Sequence, residues 1–177
     1  MATGKKVQDK FSNMATITVT ESAANTLTFK KLETGMSLFE KYAWIISRIE
    51  YFFTFNGTLF NATADTLAVA VTTSNVRTTI MTSATFTDVS VLDMIQVTRT
   101  DLGAAATGMM SILPLVKDFS SLPGGGIISP PAPLYGAAEG SGLVSATTTI
   151  IKMYYTVLEL GTDDYWELVE ARRLLTA

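Results

Sequence analysis

Any chemistry in this chain must run on carboxylates, hydroxyls and a few lysines, because its 177 residues include no histidine and no cysteine. That removes the commonest general base, the commonest metal ligand and every thiolate mechanism. Serine or threonine nucleophiles would need a lysine partner, yet neither G-x-S-x-G nor S-x-x-K occurs. Gly124-Gly125-Gly126 is not followed by a lysine and stands among prolines, so it does not read as a phosphate loop. Asp163, Asp164 and Glu167 could in principle form an acid pair or an oxygen-ligand cluster. Their place at a predicted helix start gives them an ordinary role instead, as carboxylates facing the helix dipole. Arg48 and Glu50 share one face of a predicted strand and are expected to form a cross-strand ion pair, a structural role favoured over binding of a substrate carboxylate. No catalytic, cofactor-binding or metal-binding set emerges, and the expectation is a protein that is not an enzyme.

Binding chemistry is thin as well. Tyr51, Phe52, Phe53, Tyr154 and Tyr155 could be imagined as a base-stacking platform, but only Arg48 and Lys152 are near to hold phosphates. Core or interface packing is the expected role of these rings. Lys5, Lys6 and Lys10 give a weakly basic N-terminus that could touch nucleic acid. The net charge of −3 and the pI of about 4.9 argue against strong electrostatic binding by the body of the protein. Asn56-Gly57-Thr58 and Asn61-Ala62-Thr63 match the glycosylation pattern and read as chance in a threonine-rich chain. The start, MATGKKVQDKF, has no apolar run, so no secretory leader is expected. Leu102 to Val116 is the most apolar uncharged stretch, but it is too short to span a bilayer and carries Gly103, Gly108 and Pro114.

Composition then asks what such a chain is for. Apolar residues make up 47% and charged ones only 16%, against a usual charged share of roughly 25%. Threonine and serine stand where lysine and glutamate would otherwise be. A small monomer with so few charges is a poor colloid. Burial of surface in an assembly, together with threonine-lined strands, accounts for the balance.

The elements that would position these residues are mainly strands. Ile17 and Val19 alternate with Thr16, Thr18 and Thr20, and Leu27 and Phe29 alternate with Thr26, Thr28 and Lys30. Such period-two patterns predict half-buried strands. Ala43 to Phe55, AWIISRIEYFFTF, predicts a central strand apolar on both faces. Ile45, Ile49, Tyr51, Phe53 and Phe55 are expected on one side, with Trp44, Ile46, Arg48, Glu50 and Phe52 on the other. A short helix over Ser37 to Tyr42 is expected to feed it, and Asn56-Gly57 to turn the chain. Further strands are predicted at Leu67 to Val71, Val89 to Arg99, Met109 to Val116 and Thr147 to Leu160. Thr162 is predicted to cap a helix over about Asp163 to Leu175, with Arg172 and Arg173 at its end and Trp166, Leu168, Val169 and Tyr165 as anchors.

These elements predict a mainly β, antiparallel β-sandwich or single jelly roll with a short C-terminal helix. The chain divides into a flexible, weakly basic arm over residues 1–14, the sandwich over 15–161, and a C-terminal helix or extension over 162–177. Residues 119–146 hold most of the prolines and glycines and read as a long loop. Its apolar content is unusual for a loop and asks for a partner surface. Ile127, Ile128, Leu134, Tyr135, Leu143 and Val144 in the loop, with Trp166, Leu168 and Val169 in the helix, are the candidate subunit-contact residues.

The polar basic start, the threonine-rich strands and the apolar loop before a final aromatic strand resemble the small coat proteins of icosahedral viruses, of single jelly-roll type. The resemblance is one of architecture, from about Ala15 to Leu160, without a diagnostic motif. It implies a virion shell built from copies of the chain, with the arm and its Lys5, Lys6 and Lys10 facing the genome. Three lysines are far fewer than the basic arms of many such proteins, which puts genome binding by the arm in doubt. The alternative is a secreted or surface β-sandwich module, such as an adhesin, pilus subunit or carbohydrate-binding domain. A third reading, a carboxylate-pair enzyme, requires two carboxyls roughly 5–9.5 Å apart in a cleft.

Overall fold

Strand alternation becomes two stacked sheets in the computed structural model, which describes residues 11–32, 41–54, 64–82, 85, 87–98, 114–129 and 133–175. Nine strands are described: β1 (Asn13–Thr20), β2 (Thr28–Leu32), β3 (Tyr42–Thr54), β4 (Thr66–Thr72), β5 (Val91–Thr98), β6 (Leu115–Asp118), β7 (Ile127–Ser129), β8 (Leu134–Ser141) and β9 (Thr148–Glu159). A helix, α1 (Thr162–Leu175), follows them. The first sheet runs β1-β9-β3-β6, with β7 also pairing β3; the second runs β2-β8-β4-β5.

Every pairing is antiparallel, and the pairs are nested: β1 with β9, β2 with β8, β3 with β6 and β7, and β4 with β5. The chain is one long hairpin whose two arms cross from sheet to sheet together. That is the rolled topology of a jelly roll.

The core lies between the sheets. Ile17 and Val19 from β1, Ile49 and Tyr51 from β3, and Ile151 and Met153 from β9 face Leu67, Val69 and Val71 from β4, Ile95 from β5 and Leu134 from β8. Burial of each large aliphatic side chain here contributes about 1.5–3 kcal/mol. Thr16, Thr18 and Thr20 point to solvent, as the alternation predicts. β4 is buried on both faces. Its Ala68 and Ala70, with Ala137 of β8, are small enough to let Ile80 pack on the outer side of the second sheet. The connection between β4 and β5 lies there because Glu139 accepts the Thr79 hydroxyl at 2.9 Å and the Ile80 N–H at 2.5 Å.

β3 departs from the predicted face assignment. Its register with β9 shifts between Ile46 and Arg48, so Ser47 is an extra residue in a bulge. Trp44 and Ile46 therefore share the inner face with Ile49 and Tyr51, and Trp44 stacks on Tyr155 with ring centroids 3.7 Å apart. Ile45 is turned outward, into a separate cluster with Ala43, Leu158, Leu160 and Tyr165 under α1. One inserted residue swaps the faces of everything before it. The bulge is held from the neighbouring edge: Phe119 N–H donates to the Ser47 carbonyl at 2.7 Å.

Residues 119–146 are not one long loop. They contain β7 and β8, and the prolines lie between and beside these strands. Leu134, Gly136 and Ala138 face inward along β8, where a Cβ on Gly136 would stand 2.8 Å from Val19 and 3.0 Å from Ile151. Gly124 and Gly125, at φ +88° and +80°, make the turn before β7, and Gly126 passes so close to β3 that a Cβ would stand 2.4 Å from the Ile46 carbonyl oxygen. The triple glycine is thus a steric device for laying β7 against the bulge.

Thr162 does not cap the helix. Tyr165 N–H closes the first turn on the Gly161 carbonyl at 2.9 Å, and the Thr162 hydroxyl accepts from Lys41 Nζ at 2.7 Å. Tyr42 opens β3 rather than ending a helix, and residues 37–40 lie outside the described residues, as do 109–113 of the strand predicted over Met109 to Val116.

Candidate functional site

The candidate contact residues separate into three groups. Leu134 and Leu143 are buried in the main core, which removes them from any surface. This corrects the expectation for these two: Leu134 is turned inward by the β8 alternation hidden inside a glycine-rich segment, and Leu143, in the connection after β8, by its pairing with Asn25. Ile127 and Tyr135 are half-buried. Ile128, Val144 and Trp166 are exposed, at 38%, 58% and 57%. Ile128 is the register partner of Ile45 and therefore lies on the outer face that α1 covers. Leu168 and Val169 are half-buried against that same cluster. Of the predicted helix anchors, Tyr165 is the deepest, and Trp166 points away from the domain with its ring edge-on to Tyr165 at 5.5 Å. Lys5, Lys6 and Lys10 lie outside the described residues.

Val144 is presented by a firmly built corner. Glu21, at the end of β1, is buried, and its carboxylate accepts the N–H of Gly140 at 2.7 Å, of Thr147 at 2.9 Å and of Thr26 at 3.3 Å. The Glu21 N–H in turn donates to the Thr147 carbonyl at 3.0 Å. Asn25, at φ +61°, pairs its side-chain amide with both backbone groups of Leu143: Leu143 N–H donates to Oδ1 at 2.7 Å and Nδ2 donates to the Leu143 carbonyl at 3.1 Å. An amide imitating a strand and a carboxylate filling three backbone donors fix the β8–β9 connection to the β1–β2 connection.

The rings of Tyr51, Phe52, Phe53, Tyr154 and Tyr155 are distributed over both sides of the sheet. Tyr51 and Tyr155 are inside, and Phe53 packs against the core. Phe52 and Tyr154 face outward, each already capped by a cation: Lys152 Nζ is 4.8 Å from the Phe52 centroid and the Arg48 guanidinium 5.5 Å from that of Tyr154. Arg48 pairs with Glu50 within its own strand, where the sequence reading expects a cross-strand ion pair. Asp163, Asp164 and Glu167 are exposed on the first turns of α1. Among the described residues, no three groups of metal-ligating type converge, and no helix is long and apolar enough to cross a membrane.

One polar cluster has no counterpart in the sequence reading. The Tyr51 hydroxyl, fully buried in the first sheet, donates to Asp93 Oδ2 of the second sheet at 2.7 Å. Lys117 Nζ on edge strand β6 stands 3.8 Å from Asp93 Oδ1. Burial raises the Asp93 carboxyl above its ordinary range, partly offset by the Tyr51 hydrogen bond and the Lys117 charge. Burial, and then the Asp93 charge, push the Tyr51 hydroxyl well above its ordinary value. Sequence periodicity finds β3 and β5 but not which residues meet across the sandwich.

Neither the scan against protein-family models nor the search of curated proteins finds a match to this chain.

Proposed function

We propose that this chain is a viral coat protein that self-assembles into an icosahedral shell enclosing the genome, acting through packing and not catalysis. The observation that carries the reading is Trp166: a large aromatic, 57% exposed, standing beside the buried Tyr165 that already anchors its helix. Beyond its edge contact with Tyr165, more than half of Trp166 is left open, and tryptophan is among the residue types most enriched at contact hot spots. Exposed Ile128 on the same outer face and Val144 on the braced corner extend the apolar surface. The charge-poor composition agrees with a chain that spends its life covered by neighbours.

In this reading weak contacts are multiplied by closed symmetry. Lys5, Lys6 and Lys10 supply at most a light touch on the genome, and the virion is where the protein resides. The jelly roll itself is shared by capsid, lectin and cupin domains and does not choose among them. The cations over Phe52 and Tyr154 occupy ring faces that a sugar would need, which weighs against the carbohydrate-binding alternative.

The test is light scattering after size exclusion, with negative-stain microscopy of the same fractions. Uniform closed particles of megadalton mass are expected. A 19.1 kDa monomer at high concentration across a range of salt would refute self-assembly. Trp166→Ser is the informative variant, since it leaves Tyr165 over Ile45; it is expected to lower particle yield with an unchanged far-UV spectrum.

A further inference from the structure

We propose that Asp93 is a pH-sensitive clasp between the two sheets, which holds edge strand β6 through Lys117 while it is ionised and releases that strand when it takes up a proton. The geometry is specific. Asp93 lies on β5, the edge of the second sheet, and Lys117 on β6, at the corresponding edge of the first. Oδ1 faces Lys117 Nζ at 3.8 Å, and Oδ2 accepts the Tyr51 hydroxyl at 2.7 Å. The two oxygens thus have different partners on different strands. β6 is only four residues long and exposed throughout. Besides its ladder to β3 over Arg48–Tyr51, it is held at its far end by Phe119, which packs on the core and donates to the Ser47 carbonyl, so Lys117 is the side-chain tie that reaches the second sheet from β6 itself.

Protonation affects the two contacts differently. A neutral carboxyl still accepts a hydrogen bond from the phenol, so Tyr51 stays attached. It no longer attracts the lysine. The charged and titratable groups facing Asp93 from the described residues are Tyr51 on β3 and Lys117 on β6; its cross-strand partner on β4 is Val71. Burial places the titration of Asp93 above that of an ordinary aspartate. Asp118, also on β6, is moved the other way by its bonds to Ser120, which include the Ser120 N–H at 2.8 Å, and by the Arg48 charge. The two carboxyls on this edge therefore titrate in separable ranges.

The clasp and global stability respond to pH in opposite directions. The folded-state value of Asp93 is raised, so its contribution to stability is fully present below the unfolded value and is lost as pH rises through the folded one. Acid therefore favours the folded domain as far as this group is concerned, while loosening one edge strand of it. A general acid destabilisation would loosen everything.

The experiment is amide hydrogen exchange on the full chain at pH values either side of the Asp93 titration, followed by carboxyl-carbon NMR and corrected for intrinsic rates. Protection of Leu115–Asp118 is expected to fall by about two- to fivefold on the acid side, the scale of one partly exposed ion pair. β4 and β9 are expected to keep theirs. Lys117→Gln, on an exposed side chain, should give the low protection at both pH values, and Asp93→Asn should remove the pH response. Equal β6 protection on both sides in the unmodified chain would overturn the proposal. So would a pH response that survives in Lys117→Gln, which keeps the test decisive if Asp93→Asn does not fold.

Discussion

Replacing Glu21 by glutamine tests whether the corner that presents Val144 is held by a buried carboxylate. The change is nearly isosteric, so packing is preserved and only the acceptor count falls. In the native corner Oε1 receives Gly140 and Thr26, and Oε2 receives Thr147. The best orientation for glutamine keeps its oxygen at the two-donor site and turns its NH2 group toward the Thr147 N–H. That buried donor then has no acceptor, which costs about 1–3 kcal/mol. The remaining bonds become neutral instead of charge-assisted and lose roughly half their strength, on the order of 1 kcal/mol together. The total is about 2–4 kcal/mol. For a domain of this length each kcal/mol moves Tm by about 2–4 °C, giving a fall of roughly 4–16 °C. The assay is urea unfolding followed by tryptophan fluorescence, at concentrations where sedimentation shows the dissociated subunit. Trp44, buried and stacked on Tyr155, carries the signal of the folded core. Glu167→Gln on the exposed face of α1 is the control and should stay within about 0.5 kcal/mol of the parent. If Glu21→Gln also stays within that margin, the corner is held by something other than its carboxylate.

Three further outcomes follow from individual sites. Gly126→Ala should cost about 1–3 kcal/mol by driving a methyl group into the Ile46 carbonyl, whereas Gly125→Ala, with open space around it but φ at +80°, should cost about 1–2 kcal/mol by backbone strain alone; amide exchange at Ile127–Ser129 should quicken mainly in the first. Thr149→Val should raise stability by about 1 kcal/mol, because the Thr149 hydroxyl is buried in the core without a partner; an unchanged or lower unfolding midpoint would count against this. Tyr51→Phe should cost about 1.5–3 kcal/mol at neutral pH, where the ionised Asp93 loses the Tyr51 hydroxyl as a donor. It should cost less in acid, since removing a bond that lowers the Asp93 value raises that value further, and stability from a raised carboxyl is lost as pH rises. Denaturant curves at pH 4 and pH 7 check the sign.

The sandwich was legible wherever one face of a strand is wet. Ile17 and Val19 among threonines, and Ile151, Met153, Tyr155 and Val157 along β9, are inside as their spacing predicts. Legibility failed where period two is broken or masked. Ser47 is one residue too many in β3, and nothing in AWIISRIEYFFTF marks it as a bulge, because both faces are apolar on either side of it. β8 is hidden because two of its inward positions are Gly136 and Ala138, and the nearness of Val19 and Ile151 leaves no room for a larger side chain at Gly136. A glycine required by close packing and a glycine required by a turn look alike in a sequence. The candidate surface suffers the same ambiguity. Leu143 and Val144 are adjacent apolar residues in one connection, and only the Asn25 clamp decides that the first is turned inward and the second outward.

In the assembly proposed above, the placement of small and large residues bears on which surfaces neighbours would share. The outer side of the second sheet is occupied by Ile80 and its connection, seated on Ala68, Ala70 and Ala137 and tied down by Glu139. One end of the outer side of the first sheet is occupied by α1 through Tyr165. The outer side of the second sheet is thus covered from within the chain, while that of the first sheet is covered where α1 lies and elsewhere presents Thr16, Thr18, Phe52 and Tyr154. Among the described residues, the large apolar side chains that stay exposed include Trp166 on α1, Val116 and Ile128 on short edge strands, Val76, Leu122 and Val144 in connections, and Phe11 and Met14 around the start of β1. Contacts made from edges and connections join neighbours side by side, and side-by-side joining is what a closed shell of one subunit thickness requires. If the copies instead stack face to face, cross-linking from a cysteine placed at Thr18, exposed on the first sheet's β1, should capture the pair in preference to one placed at Ser145 in the β8–β9 connection; the lateral reading expects the reverse.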